Sequence, residues 1–197
     1  MKRATGDPPV GPLPERHQGM SRYAANAVTA LRVLLTPLFA WSVARSDGGL
    51  TGWLAAALFV VIAASDFVDG RLARRLGAAS HVGRLLDHLA DIAFIMSALL
   101  AYAGRGVVPW WVPAAIGASF TVYVVDSWWG SGTRGLPALV GSRIGHAGGV
   151  LNYGLIGILV GNESMGLHLL SPSMMSGLYL LVPLYSGAAI ATRLRRR

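Results

Sequence analysis

The stretch from Ser65 to Asp91 reads SDFVDGRLARRLGAASHVGRLLDHLAD. Asp66, Asp69, Gly70 and Ala73 recur at i, i+3, i+4 and i+7, which sets them on one face of a helix. Gly83, Asp87 and Asp91 recur at i, i+4 and i+8 on a second helix. The link between them is short and basic, so the two helices form an antiparallel hairpin with both carboxylate pairs near its turn. An ionised aspartate at the centre of a membrane-inserted helix costs about 2.5–3.5 kcal/mol, and such residues persist where they face a cavity, a metal or a partner.

The rest of the chain shows why the hairpin lies in a membrane. Of 197 residues, 53% are hydrophobic and 13% are charged. A soluble domain carries about 25% charged residues, so a water-soluble globule is excluded. The apolar content excludes a disordered chain, and the absence of cysteine excludes a disulfide scaffold. An all-α integral membrane protein remains. Six segments are apolar and long enough to span: Asn26–Ala44, Gly52–Arg74, Gly83–Gly104, Val107–Trp129, Ile144–Gly161 and Leu167–Thr192. Residues 1–22 read as a polar arm rich in proline, with a candidate interfacial helix near Glu15–Tyr23, and residues 23–197 as one six-helix transmembrane domain. The polar arm and the lack of a small-residue cleavage site argue against a signal peptide. No repeat is found.

The basic residues set the orientation. With both termini in the cytoplasm, Lys2, Arg3, Arg16, Arg22, Arg71, Arg74, Arg75, Arg84, Arg134, Arg143, Arg193, Arg195, Arg196 and Arg197 lie inside, and only Arg45 and Arg105 outside. Arg32 sits one to two turns into the first helix. The net charge of +8 is thus accounted for by topology and anionic lipid, with no need of nucleic acid. Arginine-rich, Ala- and Gly-rich usage points to a GC-rich bacterial sequence, hence a multi-pass protein of the bacterial cytoplasmic membrane.

Of the nine acids, Asp7, Glu15, Asp47 and Glu163 read as solvated. Asp66, Asp69, Asp87 and Asp91 would repel one another if bare. Hard divalent cations resolve that repulsion, and an oxygen-only set suits magnesium, manganese or calcium rather than zinc. Gly70, Ala73 and Gly83 leave that face thin, and Arg74, one turn beyond Gly70, stands where it can pair with a phosphate. The combination suggests a bound diphosphate and two-metal substitution at phosphorus. An ion or proton pathway uses intramembrane carboxylates as well, and small residues also serve helix packing. Spacing alone leaves a metal-dependent enzyme and a transport-type protein both open.

Read as Asp66-x2-Asp69-Gly70-x2-Ala73-Arg74-x8-Gly83-x3-Asp87-x3-Asp91, the stretch resembles the CDP-alcohol phosphatidyltransferase signature at all eight fixed positions. Asn26, Thr29 and Arg32 resemble the family's first-helix pattern. The resemblance implies transfer of a phosphatidyl-type group from a CDP-linked lipid such as CDP-diacylglycerol to an alcohol, with release of CMP. It implies two divalent cations, magnesium or manganese, held by Asp66, Asp69, Asp87 and Asp91, with Asp91 also deprotonating the acceptor. It assigns Asp69, Gly70, Ala73, Arg74 and Gly83 to the cytidine-diphosphate pocket. It further implies a homodimer whose active site opens to the cytoplasm.

The acceptor is less legible. Arg134 and Arg143, between the fourth and fifth helices, are candidates to grip the phosphate of glycerol 3-phosphate or inositol phosphate. The segment Gly141–His146 departs from the Lys- and Thr-containing pattern of phosphatidylglycerophosphate synthases, which keeps a lipid acceptor such as phosphatidylglycerol open. Asp126 is expected to pair with Arg32 or with an arginine of the next loop, with contact to acceptor hydroxyls as the alternative. Trp128 and Trp129 read as an interfacial belt. His88 points off the metal face by helical geometry, and His81 reads as a loop histidine. Asn152 and Tyr153 are expected to make helix–helix hydrogen bonds. Asp91→Asn is expected to abolish CMP release in a protein that still folds, measured by CMP formation alongside circular dichroism.

Overall fold

The computed structural model describes residues 15–46, 49–76, 81–130 and 143–195, and side chains over 27–46, 49–65, 83, 85–129 and 147–195. The described residues form six helices: α1 Glu15–Ala44, α2 Leu50–Leu76, α3 His81–Gly104, α4 Trp111–Gly130, α5 Arg143–Leu159 and α6 Pro172–Leu194. A π-helical turn, Val160–Ser164, continues α5.

Cross-contacts give the directions of the helices. Arg32 and Phe39 of α1 meet Asp87 and Phe94 of α3, so these two run parallel. His88 of α3 meets Phe120 and Tyr123 near the end of α4, and Gly117 faces Met96, so α4 returns antiparallel. Tyr153 reaches Asp91 and Ser164 reaches Tyr102, so α5 runs with α3. Arg193 reaches Asp126 and Tyr179 reaches Val107, so α6 runs with α4. Gly157 faces Phe59, and Gly52 faces Ser164, which sets α2 against α5. The start of α1 and the end of α6 therefore share one end of the bundle.

The burial pattern of α1 is inverted relative to a soluble helix. Arg32, Thr36 and Ser42 are buried, while Leu34 is 72% exposed and Leu31, Val33, Leu38 and Trp41 also face outward. Buried hydroxyls are satisfied locally: Thr36 Oγ1 donates to the Arg32 carbonyl (2.8 Å) and Ser42 Oγ to the Phe39 carbonyl (2.7 Å). Polar groups inside and leucines outside is the arrangement that hydrocarbon solvent rewards. Among the described residues, Ala27–Ala44, Leu85–Gly104 and Pro172–Leu194 are long and apolar enough to cross a membrane, and Leu50–Ser65 is a shorter apolar stretch. Exposed tryptophans stand at both ends of α4, Trp110 and Trp111 at one and Trp128 and Trp129 at the other. At 1.5 Å rise per residue the two pairs are about 27 Å apart, close to the roughly 30 Å of a hydrocarbon core.

Several helix ends depart from the sequence reading, each for a local reason. The first helix begins at Glu15 rather than Asn26, so the candidate interfacial segment is continuous with it. The α4 helix starts at Trp111 because α3 ends in a Schellman turn: Gly106 has φ +74° and the Val107 amide returns to the Tyr102 carbonyl at 3.1 Å. The last helix starts at Pro172 because Ser171 caps it. The chain before it is pinned to the π turn, where Asn162 both donates to the Leu170 carbonyl (2.9 Å) and accepts from the Leu170 amide (3.1 Å).

The same end shows the tightest helix approach. A Cβ on Gly52 would fall on the Ser164 carbonyl oxygen and 2.8 Å from its carbon, and backbone atoms cannot swing away. Gly52→Ala is expected to cost about 1–3 kcal/mol, read as a lowered melting temperature in detergent. Gly154→Ala, where nothing lies within 4 Å, is the matched control and should melt as wild type does.

Candidate active site

The site is built at the end of the bundle where α3 begins. Asp87 and Asp91 are one turn apart on α3, and both turn to α1. Arg32 Nη1 lies 2.9 Å from Asp87 Oδ1 and 2.6 Å from Asp91 Oδ1. Arg32 is fully buried, whereas the Asp87 and Asp91 side chains are 40% and 23% exposed. The cluster therefore has a closed side at the guanidinium and an open side at the carboxylates. On α5, Tyr153 donates its hydroxyl to the same Asp91 Oδ1 at 3.0 Å. Its ring tilts against Phe94 at 5.4 Å, and Phe94 meets Phe39 edge-on at 5.2 Å.

A second polar cluster lies alongside. Arg193 of α6 bonds Asp126 Oδ2 at 3.2 Å and stacks 4.2 Å over the Tyr123 ring. Asp126 was expected to pair with Arg32 or with an arginine of the next loop; the partner seen among the described residues is Arg193, which α6 brings alongside α4, while Arg32 bonds the α3 carboxylates. His88 packs on Phe120 and Tyr123, on the face of α3 turned to α4. Asn152 receives the Tyr185 hydroxyl from α6, as expected of a polar interruption in an apolar helix.

Asp66, Asp69, Gly70, Ala73 and Arg74 lie on the last turns of α2, and their side chains fall outside the described residues. So do Arg134, the side chain of Arg143 at the start of α5, and the side chain of His81. Gly83 opens α3 one turn before Asp87, half-buried. Among the described residues, no three His, Asp or Glu side chains gather as metal ligands. The two α3 carboxylates are nevertheless hard oxygen donors of the kind that suits magnesium or manganese, partly exposed on the side away from Arg32.

Arg32 and Tyr153 are the residues whose part in this site the sequence left unassigned. Arg32 carried a signal: an arginine inside an apolar span, with no acid within a turn on its own helix, has to find carboxylates on another. Tyr153 was expected to bond across helices and does so; only the identity of its partner, Asp91, was not legible.

Residues 22–184 match the family model for CDP-alcohol phosphatidyltransferase, and the chain belongs to that family. It is 37% identical over 90 residues to a cardiolipin synthase (CMP-forming) of Streptomyces coelicolor, covering 44% of this chain and 41% of that protein. It is 35% identical over 113 residues to a probable phosphatidylglycerophosphate synthase of Mycobacterium tuberculosis, covering 54% of each. It is 37% identical over 86 residues to a CDP-diacylglycerol–glycerol-3-phosphate 3-phosphatidyltransferase of Cereibacter sphaeroides, covering 43% of this chain and 39% of that protein. The matched part of the chain thus spans about half, or less, of these relatives.

The Asp126–Arg193 pair ties α4 to α6 beside the site, both partners mostly buried. A double-mutant cycle with Asp126→Asn and Arg193→Gln is expected to give a coupling energy of about 0.5–1.5 kcal/mol. Reversible unfolding in mixed micelles measures it.

Proposed function

We propose that this chain is a divalent-metal-dependent CDP-alcohol phosphatidyltransferase of phospholipid synthesis. It moves the phosphatidyl group of a CDP-diacylglycerol-type lipid to an alcohol and releases CMP. The observation that carries this reading is that Asp87 and Asp91, the second half of the signature, stand together on one face of α3, gathered by Arg32 and partly exposed. Family membership over residues 22–184 supports it.

Asp66, Asp69, Asp87 and Asp91 would hold two magnesium or manganese ions. Bound there, the ions supply screening of the diphosphate and of the charge that develops on departing CMP. The remaining work belongs to side chains. Asp91 accepts the proton of the acceptor hydroxyl as its oxygen attacks the phosphatidyl phosphorus and the bond from that phosphorus to the CMP oxygen breaks. Arg74 orients the phosphate. Gly70, Ala73 and Gly83 leave room for the cytidine diphosphate, and Asp69 borders it. Arg134 and Arg143 are the candidates to meet the acceptor.

The acceptor is a phosphorylated polyol (glycerol 3-phosphate or inositol phosphate) or phosphatidylglycerol. Relatives named for glycerol-3-phosphate transfer and for cardiolipin synthesis support both classes. The protein spans a bacterial cytoplasmic membrane six times with both termini and the site in the cytoplasm, as a homodimer. The positive-inside bias and the shared end of α1, α6 and the carboxylates support that placement.

The test is CMP release by the purified full-length protein with CDP-diacylglycerol and magnesium or manganese, against glycerol 3-phosphate, inositol phosphate and phosphatidylglycerol in turn. One acceptor is expected to support turnover, and EDTA to stop it. A folded protein that releases no CMP with any of them overturns the reading in favour of an ion pathway.

A further inference from the structure

The α3 carboxylates are held from two other helices at once. Asp91 Oδ1 takes the Arg32 guanidinium from α1 at 2.6 Å and the Tyr153 hydroxyl from α5 at 3.0 Å. Asp87 Oδ1 takes the same Arg32 nitrogen at 2.9 Å. The terminal torsion of an aspartate is broad, so a carboxylate that must face a cation and a reacting hydroxyl needs outside partners to fix its plane. Two donors on one oxygen do this for Asp91.

The packing separates the two parts of Tyr153. Its ring is locked in a run of aromatics, Phe39 to Phe94 to Tyr153, with Phe39 and Phe94 fully buried. A phenylalanine would fill that place equally well, and the hydroxyl adds the bond to Asp91. Arg32 likewise exceeds what packing asks. A fully buried guanidinium carries a desolvation cost of several kcal/mol, offset here by two carboxylates gathered on its Nη1.

We propose that Arg32 and Tyr153 are positioning residues. They aim the Asp91 carboxylate, and Arg32 also that of Asp87, at the cations and acceptor hydroxyl of the site. This rests on the reading under Proposed function.

The test uses full-length, metal-stripped protein in detergent, wild type beside Tyr153→Phe and Arg32→Lys. Manganese binding is followed by the electron paramagnetic resonance of free Mn2+, and CMP release gives kcat and KM. Loss of a partner behind a ligating carboxylate typically costs 10–100-fold, so Tyr153→Phe is expected to bind Mn2+ about 10-fold more weakly and to lose about 10-fold in kcat. Its KM for CDP-diacylglycerol and its metal-free melting temperature should stay at wild-type values, because the ring stack is untouched. Arg32→Lys keeps the charge but not the planar guanidinium that sets where Nη1 stands, and should lose more of both.

Wild-type Mn2+ affinity and kcat in Tyr153→Phe overturn the proposal, as does a lowered melting temperature with unchanged Mn2+ affinity. If the wild type binds Mn2+ yet releases no CMP, the transferase reading fails, and the Mn2+ affinity of Tyr153→Phe decides this proposal by itself. If the wild type releases CMP without binding Mn2+, aiming at a metal is refuted.

Discussion

A guanidinium carried into the apolar part of a helix must be met by carboxylates from elsewhere, since hydrocarbon offers it nothing. Arg32 is fully buried on α1, and α3 answers with Asp87 and Asp91. Much of the arrangement around the site follows from that demand. It sets the parallel register of α1 and α3, and Phe39 then falls on Phe94 two turns further along. Tyr153 completes the set from α5 by bonding the same carboxylate oxygen. Three helices are thus fixed at the level of the chemistry by one buried charge and its partners.

The opposite end of the bundle is closed by different means. There neutral groups make the contacts: the Tyr102 hydroxyl with Ser164 at 2.9 Å, the Tyr179 hydroxyl with the Val107 carbonyl at 3.2 Å, and Asn162 with both backbone groups of Leu170. Gly52 lets α2 lie directly on the π turn that carries Ser164. Among the described contacts, charged pairs thus hold one end and neutral clasps the other. Between the two ends the helices present leucine and valine outward, with exposed tryptophan pairs at the two ends of α4.

Family membership is carried by the stretch that could be read without coordinates, eight positions between Asp66 and Asp91 with residues 22–184 matching around them. The six helices among the described residues were also legible, because apolar runs need no partner to be recognised; three of them are long and apolar enough to span. Helix ends were less so. Glycine at Gly106, the cap at Ser171 and the clasp by Asn162 each moved a boundary, and each works through hydrogen bonds that hydropathy does not register. Asp126 shows the same limit at the level of pairs. Its need for a cation was readable from its place in an apolar helix, but the cation came from α6, 67 positions away in sequence.

By itself, then, the sequence determined the family signature and the helices, and it singled out the aspartates that stand in or beside apolar runs. Those depend on residue type and on helical periodicity, which are local. The tertiary structure alone decided that Arg32 and Tyr153 share Asp91 and that Arg193 belongs to Asp126. Those pairings join helices far apart along the chain, and in an interior without water a buried charge or hydroxyl takes whichever partner the packing of helices brings within reach.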